Sequence, residues 1–299
     1  VRFRPGRWSE TGKSVDPSSS ADEADVMASP VGDLTDHYAR HDRIVEGVLD
    51  ALAATGHDID ALEPSALSGA DEFHLGGRLA TMAVIESLRA DPPQSIIDVG
   101  SGIGGPARTM AVELGATIVG VDLTPAFIEA ATQLTDRVGL GDRVSFCVGN
   151  ALDLDVDDAS VDLATLFHVG MNIEDKQSLI AELTRIVRPG GRVLVYDIVR
   201  LRDGDLSLPL PWTSAGEHNH LATTAVYLDA MRSAGLLPGE PVDRRAIVAD
   251  ALRHAADAPP AVTLGHLMGP DFAEMFTNLR SAIAGGLVAP MEIVATRPG

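Results

Sequence analysis

The chain has 299 residues, with 45% hydrophobic and 22% charged side chains, a composition typical of a globular enzyme with one large or two modest domains. Its net charge of −20 argues against a nucleic-acid partner, and its single cysteine, Cys147, excludes an internal disulfide or a cysteine-based zinc site. No apolar run reaches roughly 18 residues and no secretory signal is recognisable, so we expect a cytoplasmic protein with no membrane partner.

The N-terminal part divides into a polar tail and a helical region. Residues 1–30 are Ser-rich and lack hydrophobic periodicity, which predicts a disordered tail. Apolar side chains recur at helical spacing in 33–56 and again in 76–90, where the sequence DPP ends the pattern. Residues 31–90 are therefore predicted to form an N-terminal helical cap.

From residue 91 onward, short apolar strands alternate with amphipathic helices. The predicted strands are QSIIDVG at 94–100, ATIVGVDL at 116–123, RVSFCVGNA at 143–151, VDLATLFHV at 161–169 and GRVLVYDIV at 191–199. The predicted helices between them are at 104–115, 124–140 and 173–187. This alternation predicts an α/β fold with a doubly wound, Rossmann-like parallel sheet.

A long loop rich in Gly and Pro then interrupts the alternation. The elements predicted here are that loop, two helices and a final strand, at 200–220, 225–236, 271–285 and 288–297. Loops of this length are usually functional lids or disordered segments. We therefore expect a core at 91–299 with an inserted lid at about 201–270.

The first strand of the core runs into a glycine-rich turn, SIIDVGSGIGGPAR. Gly100, Gly102 and Gly105 fit the G-x-G-x-x-G spacing, which lets the backbone turn sharply and a ligand approach it. Asp122 lies roughly 20 residues on, where a carboxylate can accept both ribose hydroxyls or can cap a helix instead. A nicotinamide dinucleotide, S-adenosyl-L-methionine (SAM) and a plain turn are all possible. Asp98 favours SAM, because an acid is unfavourable beside a pyrophosphate but not beside the cationic end of SAM.

Four segments in order make the chain resemble the class I SAM-dependent methyltransferases. They are IIDVGSGIGG, VGVDLT, VGNALDL and RIVRPGGRVLVYD, and the resemblance covers roughly residues 70–299. It implies an antiparallel last strand, SAM as cofactor and S-adenosyl-L-homocysteine as product. The cofactor-binding residues that it implies are Asp98, Gly100, Gly102, Asp122, Leu123, Asn150, Ala151 and Leu152. Asn150 stands where many relatives have Asp, and its side-chain carbonyl can still meet the adenine amine.

Two further segments, DEFHLGGRLAT and DHYARHD, resemble parts of small-molecule N-methyltransferases of the sarcosine/dimethylglycine and phosphoethanolamine types. This resemblance implies that Tyr38 closes over SAM and pairs with His168, which would act as general base. It also implies that His74 contacts the carboxylate end of SAM. The residue types alone leave structural alternatives open, with Tyr38 as a core residue with a solvated hydroxyl and His168 as a structural histidine.

The acceptor pocket is predicted in the C-terminal part, where PLPWTS and LGHLMGPDFAEMFTNL are similar to segments of bacterial relatives of those N-methyltransferases. The candidate pocket residues are Trp212, His218, His220, His266, Met268 and Phe272. The last two also fit plain packing at the start of a helix. Residues 205–240 contain a single basic residue, Arg232, which favours a neutral or aromatic acceptor over an anionic one.

Together these features predict an enzyme that transfers a methyl group from SAM to N or C of a small molecule. The acceptor would be a natural-product or amino-acid-derived metabolite of secondary metabolism, in a bacterium with a GC-rich genome. Glu217, His218 and His220 could hold a metal ion, but a polar lid is preferred and no metal is expected. The alternatives are a cyclase or other non-methylating enzyme on the same fold, and a silent SAM-binding module. A monomer or homodimer is expected.

Overall fold

A computed structural model of the chain describes residues 43–257, 263 and 271–299. Its helices are α1 (Ile44–Ala54), α2 (Gly77–Leu88), α3 (Gly105–Leu114), α4 (Pro125–Arg137), α5 (Lys176–Ile186), α6 (Thr224–Ser233), α7 (Arg245–Asp257) and α8 (Phe272–Ala284). Its strands are β1 (Ser95–Val99), β2 (Thr117–Asp122), β3 (Val144–Val148), β4 (Val161–Phe167), β5 (Val187–Arg200), β6 (Leu237–Pro238), β7 (Val242–Asp243) and β8 (Val288–Thr296). The predicted tail at 1–30 lies outside the described residues, as do Tyr38, His266 and Met268.

These strands form one mixed sheet in the order β3-β2-β1-β4-β5-β8-β6, with β7 also paired to β8. β1 lies between β2 and β4 in parallel register, with Ile96 opposite Ile118 and Leu163. β8 runs antiparallel to β5, with Arg192 opposite Thr296. The structure confirms the predicted α/β, Rossmann-like fold and its reversed strand.

Alternation along the strands sorts the side chains onto the two faces of the sheet. Ile97 and Val99 pack on one face with α5 and α6, whereas Ile96 packs on the other face with α2 and α3. Since successive side chains point to opposite faces, Asp98 shares the face of Ile96. Helices cover both faces, so a ligand reaches the sheet at the carboxyl ends of its parallel strands.

Two helices lie in the core although the sequence places them elsewhere. α2 belongs to the predicted N-terminal cap, yet Val84 and Leu88 pack in the same cluster as β1 and α3. α6 falls inside the predicted lid at about 201–270, yet Tyr227 and Met231 are buried with α5 in the cluster on the opposite face. Because α6 is packed in the core, the part of 201–270 that is free to act as a lid is shorter than predicted. The division into cap, core and lid stays a prediction.

Further differences concern α7 and the start of β5. The sequence prediction lacks α7, although Ile247, Val248, Ala251 and Leu252 recur there at helical spacing. β5 begins before the predicted strand at 191–199, because Val187 already pairs with Val161 ahead of a shift in register. Among the helices that the structure describes, none is long and apolar enough to cross a membrane.

Candidate cofactor and acceptor site

A cavity of about 500 Å³ opens at the carboxyl ends of β1, β2 and β4. This volume lies within the range of about 300–1,000 Å³ that is usual for small-molecule sites. The predicted site residues that line it are His74, Gly100, Gly102, Asp122, Leu123, Asn150, Ala151, Leu152, His168, Trp212, His218, His220 and Phe272. The fold therefore brings the candidate cofactor residues and the candidate acceptor residues to one cavity.

The glycine turn after β1 forms part of the cavity wall. Gly100 and Gly102 have φ values of +74° and +52°, in the left-handed region that favours glycine. A Cβ atom on Gly100 would lie 2.0 Å from Val169 Cγ2, so this position must be glycine for the turn to pack. A Cβ atom on Gly102 would meet the Phe73 ring at 3.5 Å. That is an ordinary contact distance, so the left-handed φ favours glycine here, and Gly102 lines the cavity without a side chain.

Asp122 closes this turn from the end of β2. Its Oδ2 accepts the Gly102 N–H at 2.9 Å and its Oδ1 accepts the Thr124 N–H at 2.9 Å, so the carboxylate holds the turn and the start of α4. Burial raises the pKa of Asp122 above its ordinary value, while these hydrogen bonds oppose the shift. Each carboxylate oxygen keeps a second lone pair, as two ribose hydroxyls would require.

The segment after β3 lines the cavity beside Asp122. Asn150 Oδ1 accepts the Leu152 N–H at 2.9 Å, which fixes the orientation of the amide. The carbonyl predicted to meet an adenine amine therefore has one of its two lone pairs already in use. Leu123 and Ala151 supply apolar surface to the same cavity.

Asp98 lies behind the glycine turn and does not line the cavity. It is 1% exposed, and its Oδ1 accepts the Thr165 hydroxyl at 2.8 Å. Burial is the largest cause that raises the pKa of Asp98, to about 7. The structure therefore does not support the predicted contact with SAM, because strand alternation turns this side chain toward the face covered by α2 and α3.

His168 follows β4 directly and has an uncommon backbone conformation. Its φ is +53°, in the left-handed region, and its N–H donates to the Tyr196 carbonyl at 2.8 Å. The Leu75 N–H donates to its Nδ1 at 3.4 Å, and its buried Nε2 has no hydrogen-bond partner. Burial, with His74 nearby, lowers the pKa of His168 well below its ordinary value. A neutral ring whose Nδ1 accepts carries its proton on Nε2, so neither nitrogen offers the free lone pair that the predicted base needs.

His74 lies beside His168 in the cavity wall, with ring centroids 5.7 Å apart. Its Nε2 is 2.8 Å from Glu72 Oε2 and 3.0 Å from Thr81 Oγ1. Both the histidine and the glutamate are buried. This polar network accounts for His74 without a ligand, so its contact with SAM stays a prediction.

The segment before His74 is anchored to α3 by an ion pair that sequence reasoning missed. Asp71 Oδ2 accepts from Arg108 Nη2 at 2.8 Å, and both side chains are buried. Arg108 also donates to the Thr135 hydroxyl at 2.8 Å. A Cβ atom on Gly105 would lie 2.1 Å from the Asp71 carbonyl oxygen, so the third glycine of the motif serves this contact. The sequence signal was the arginine in the otherwise apolar start of α3.

Aromatic side chains from the C-terminal part of the chain also line the cavity. Trp212 is buried, and its Nε1 donates to Asn219 Oδ1 at 3.2 Å. Phe272 and Phe276 of α8 stack with ring centroids 5.7 Å apart. In the described part of the lining there is no Lys or Arg, and its carboxylates are Asp122, Glu174 and Asp175. Within the described ranges, no three His, Cys, Asp or Glu side chains are grouped as metal ligands.

A buried lysine ties two segments of the cavity wall together. Lys176 Nζ donates to the His220 carbonyl at 2.8 Å and also to the Ile173 carbonyl. The His220 N–H in turn donates to the Met171 carbonyl at 2.8 Å. The segment after β4 and the segment that carries His218 are therefore linked through their main chains.

An aspartate and a tyrosine lie behind this lysine. The Tyr227 hydroxyl donates to Asp197 Oδ2 at 2.5 Å, and Lys176 Nζ lies 5.9 Å from the centre of the Tyr227 ring. Burial raises the pKa of Asp197 to about 6 and lowers that of Lys176. We call Lys176, Asp197 and Tyr227 the clamp. Sequence reasoning missed it, because its members are far apart in the chain.

The family model described as a methyltransferase domain matches residues 97–195. A tocopherol O-methyltransferase of Arabidopsis thaliana is 35% identical over 102 residues, which are 34% of this chain and 29% of that protein. Methyltransferase GfsG of Streptomyces halstedii is 33% identical over 132 residues, 44% of this chain and 48% of that one. The chain spans less than half the length of either curated relative.

Solved structures of low sequence identity share the fold. A Haemonchus contortus phosphoethanolamine N-methyltransferase, solved with S-adenosylhomocysteine, has a TM-score of 0.64 at 19% identity, covering 79% of this chain and 57% of that one. A protein described as a Galdieria sulphuraria sarcosine dimethylglycine methyltransferase has a TM-score of 0.55 at 17% identity, covering 74% and 84%. The cyclase SpnF has a TM-score of 0.58 at 20% identity, covering 86% and 93%.

The family model for a methyltransferase domain thus matches residues 97–195, and the chain shares its fold with solved methyltransferase structures. The family match confirms the resemblance to methyltransferases that the sequence motifs carry, and the likeness to the sarcosine/dimethylglycine and phosphoethanolamine enzymes extends to the fold. The glycine turn, Asp122 and His168 all lie inside the stretch that the family model matches.

Proposed function

We propose that the chain is a SAM-dependent methyltransferase that transfers a methyl group to N or C of a neutral or aromatic small molecule. The observation that carries this proposal is the glycine turn at Gly102, which the Asp122 carboxylate holds in place. The turn shares one cavity with the aromatic side chains of Trp212 and Phe272. The curated relatives support it, since they are named methyltransferases.

The residues around the glycine turn fit the cofactor. Asp122 would accept the ribose hydroxyls with its remaining lone pairs, and Gly102 would let the methionine part approach the backbone. Leu123, Ala151 and Leu152 would enclose the adenine ring. When bound, SAM supplies an electrophilic methyl group on a positively charged sulfur. No Lys or Arg of the described lining would repel that charge.

The aromatic part of the cavity lining would bind and orient the acceptor. Trp212, Phe272 and the clamped segment at His220 would hold an aromatic or neutral molecule and exclude water, so that its nucleophilic atom lies in line with the methyl group. Tyr38 and His168 are the proposed catalytic pair. Because the Leu75 N–H occupies His168 Nδ1, the ring would have to release it before taking a proton there.

Composition, the cavity lining and the relatives support the finer assignments. The absence of basic residues from the described lining favours a neutral acceptor, such as a natural-product or amino-acid-derived metabolite of secondary metabolism. The GC-rich composition and the Streptomyces relative favour a bacterial source. The lone Cys147 fits a reducing cytoplasm. A monomer or homodimer is the expected assembly.

A cyclase is the second candidate, because SpnF shares this fold. A non-methylating enzyme could keep the aromatic wall while having no need of a ribose-binding carboxylate. A silent module would bind SAM without turning it over. These alternatives differ from the main proposal in measurable ways.

The test begins with isothermal titration of the protein with SAM and then with S-adenosyl-L-homocysteine. Micromolar binding of both is expected. The protein is then incubated with SAM and a panel of amines, amino-acid derivatives and indoles, and mass spectrometry looks for the added methyl group. No heat with either ligand, in a sample shown to be folded, would overturn the SAM site and favour the cyclase. Binding without methylation of any acceptor would favour the silent module.

A further inference from the structure

We infer that the clamp of Lys176, Asp197 and Tyr227 is a positioning device that holds the acceptor wall of the cavity in place. The inference deepens the proposed function and rests on it, since it concerns the acceptor side of the same cavity. The clamp residues do not line the cavity. They act through the main chain of segments that do.

The first argument is the direction of the hydrogen bonds. Lys176 Nζ donates to main-chain carbonyls on both sides, those of Ile173 and His220. The lysine is 4% exposed, so these bonds do not compete with bulk water. Both bonds are half-buried, so each carbonyl that loses its donor carries part of its desolvation penalty. Removing the ammonium would therefore release the segment at His220 from the segment after β4.

The second argument is the fit of Asp197 and Tyr227 against the same segment. A Cβ atom on Gly170 would lie 2.1 Å from the Tyr227 hydroxyl and 2.5 Å from Asp197 Oδ2. Backbone N–H groups of Ile198 and Met171 also favour the charged form of Asp197. The carboxylate thus holds the backbone of the cavity wall at close range, and only glycine fits at 170.

The third argument is that the clamped segment also meets the glycine turn. Val169 lies against Gly100, where an added Cβ atom would be 2.0 Å from Val169 Cγ2. This segment therefore contacts the clamp at Gly170 and the glycine turn at Val169. With both in place, residues 169–173 have little freedom, and the acceptor wall has a defined distance from the cofactor residues.

Trp212 reports on this arrangement. It is 1% exposed and its Nε1 donates to Asn219, the residue before His220. Trp8 is the second tryptophan of the chain, so a Trp8→Phe background leaves Trp212 as the sole fluorophore of this kind. Quenching by acrylamide then measures how often the wall opens, without any acceptor.

The decisive variants are Lys176→Met and Gly170→Ala in this background. We expect the acrylamide quenching constant of Trp212 to rise by up to about tenfold in both variants. Lys176→Met loses the hydrogen bonds to two carbonyls and Gly170→Ala loses close packing, so in both the wall should open more often. The dissociation constant of SAM should stay within about twofold. Gly170→Ala keeps every charge, so it decides the matter even if Lys176→Met does not fold.

Arg185→Met is the matched control on the same helix. Arg185 bonds the carbonyls of Val156 and Leu154 and the carboxylate of Glu182, all away from the cavity lining. It should lower the melting temperature without changing Trp212 quenching. Equal quenching in Lys176→Met, Gly170→Ala and the parent would overturn the inference, as would a rise in the control. Loss of SAM binding in the parent would instead overturn the proposed function and leave the quenching result standing.

Discussion

The two sides of the cavity are built in different ways. The cofactor side, which comprises Gly100, Gly102 and Asp122, uses local hydrogen bonds: the Gly100 N–H donates to the Val121 carbonyl and the Gly102 N–H donates to the Asp122 carboxylate. The acceptor side uses side chains from separate segments, such as Trp212 and Phe272, joined through the clamp. The first arrangement follows from a short local motif. The second exists only when distant parts of the chain have packed.

The difference indicates where each side tolerates change. The cofactor side depends on backbone conformations that other residues cannot adopt, so substitutions there should affect folding and SAM binding together. The acceptor side depends on side-chain packing, which can vary while the fold is kept. Four substitutions would break or sharpen this comparison, in order of decreasing effect.

Gly100→Ala should have the largest effect. Its Cβ atom would meet Val169 Cγ2 at 2.0 Å on a backbone with φ of +74°, so we expect a loss of roughly 3 kcal/mol or more of stability. SAM affinity should fall at least about 100-fold. Gly115→Ala is the control, because Gly115 has φ of +70° and open space around its Cβ position. It should lose about 1 kcal/mol and keep SAM binding, as urea unfolding and titration would show. Similar losses in both would remove the steric argument.

Asp98→Asn should change the pH dependence of stability. The pKa of Asp98 is raised to about 7 in the folded protein, so native Asp98 holds its proton where the unfolded chain has lost it. Its contribution to stability is therefore present below about pH 4 and is lost as the pH rises to about 7. Urea unfolding should show the variant more stable than the parent at pH 8, by up to roughly 3 kcal/mol, and nearly equal at pH 4.5. A constant difference at both pH values would contradict the shifted pKa.

Asp122→Ala should weaken SAM by about 1.5–3 kcal/mol, which corresponds to roughly 10- to 100-fold in the dissociation constant. The reason is the loss of a charged acceptor for the ribose, together with the bond to the Gly102 N–H. Asn150→Ala is the comparison, since Asn150 also lines the cavity but uses its carbonyl on Leu152. Isothermal titration measures both. An unchanged dissociation constant in Asp122→Ala would contradict the ribose assignment.

Phe272→Leu should have the smallest effect and should act on the acceptor side alone. It removes the stack with Phe276, which is worth about 0.5–1.5 kcal/mol beyond burial. The KM of an acceptor found in the methylation screen should rise about three- to tenfold, with the dissociation constant of SAM unchanged. Steady-state kinetics with SAM at saturation checks this. A change in SAM affinity with constant acceptor KM would contradict the assignment of Phe272 to the acceptor side of the cavity.

Much of the fold was predictable, because the strands and helices of the core carry strong local patterns. Runs such as SIIDV and TIVGVD are short, apolar and bounded by turns, and their helices end at glycine or begin at Pro125. α7 was also within reach of prediction, because Ile247, Val248 and Leu252 lie at helical spacing. The place of α2 on the sheet was hidden, since an amphipathic pattern does not say which surface covers it.

By itself, the sequence determined the order of the core elements, the glycine turn and the acid at the end of β2, because each depends on residues that are close in the chain. The tertiary structure alone decided three further points. In the folded protein, Asp98 accepts from the Thr165 hydroxyl and does not line the cavity, the Leu75 N–H donates to His168 Nδ1, and Lys176 Nζ donates to the His220 carbonyl. Each of these depends on groups that meet only after the sheet and its helices have packed. Local patterns specify backbone conformation, whereas the partners of buried polar groups are chosen by packing.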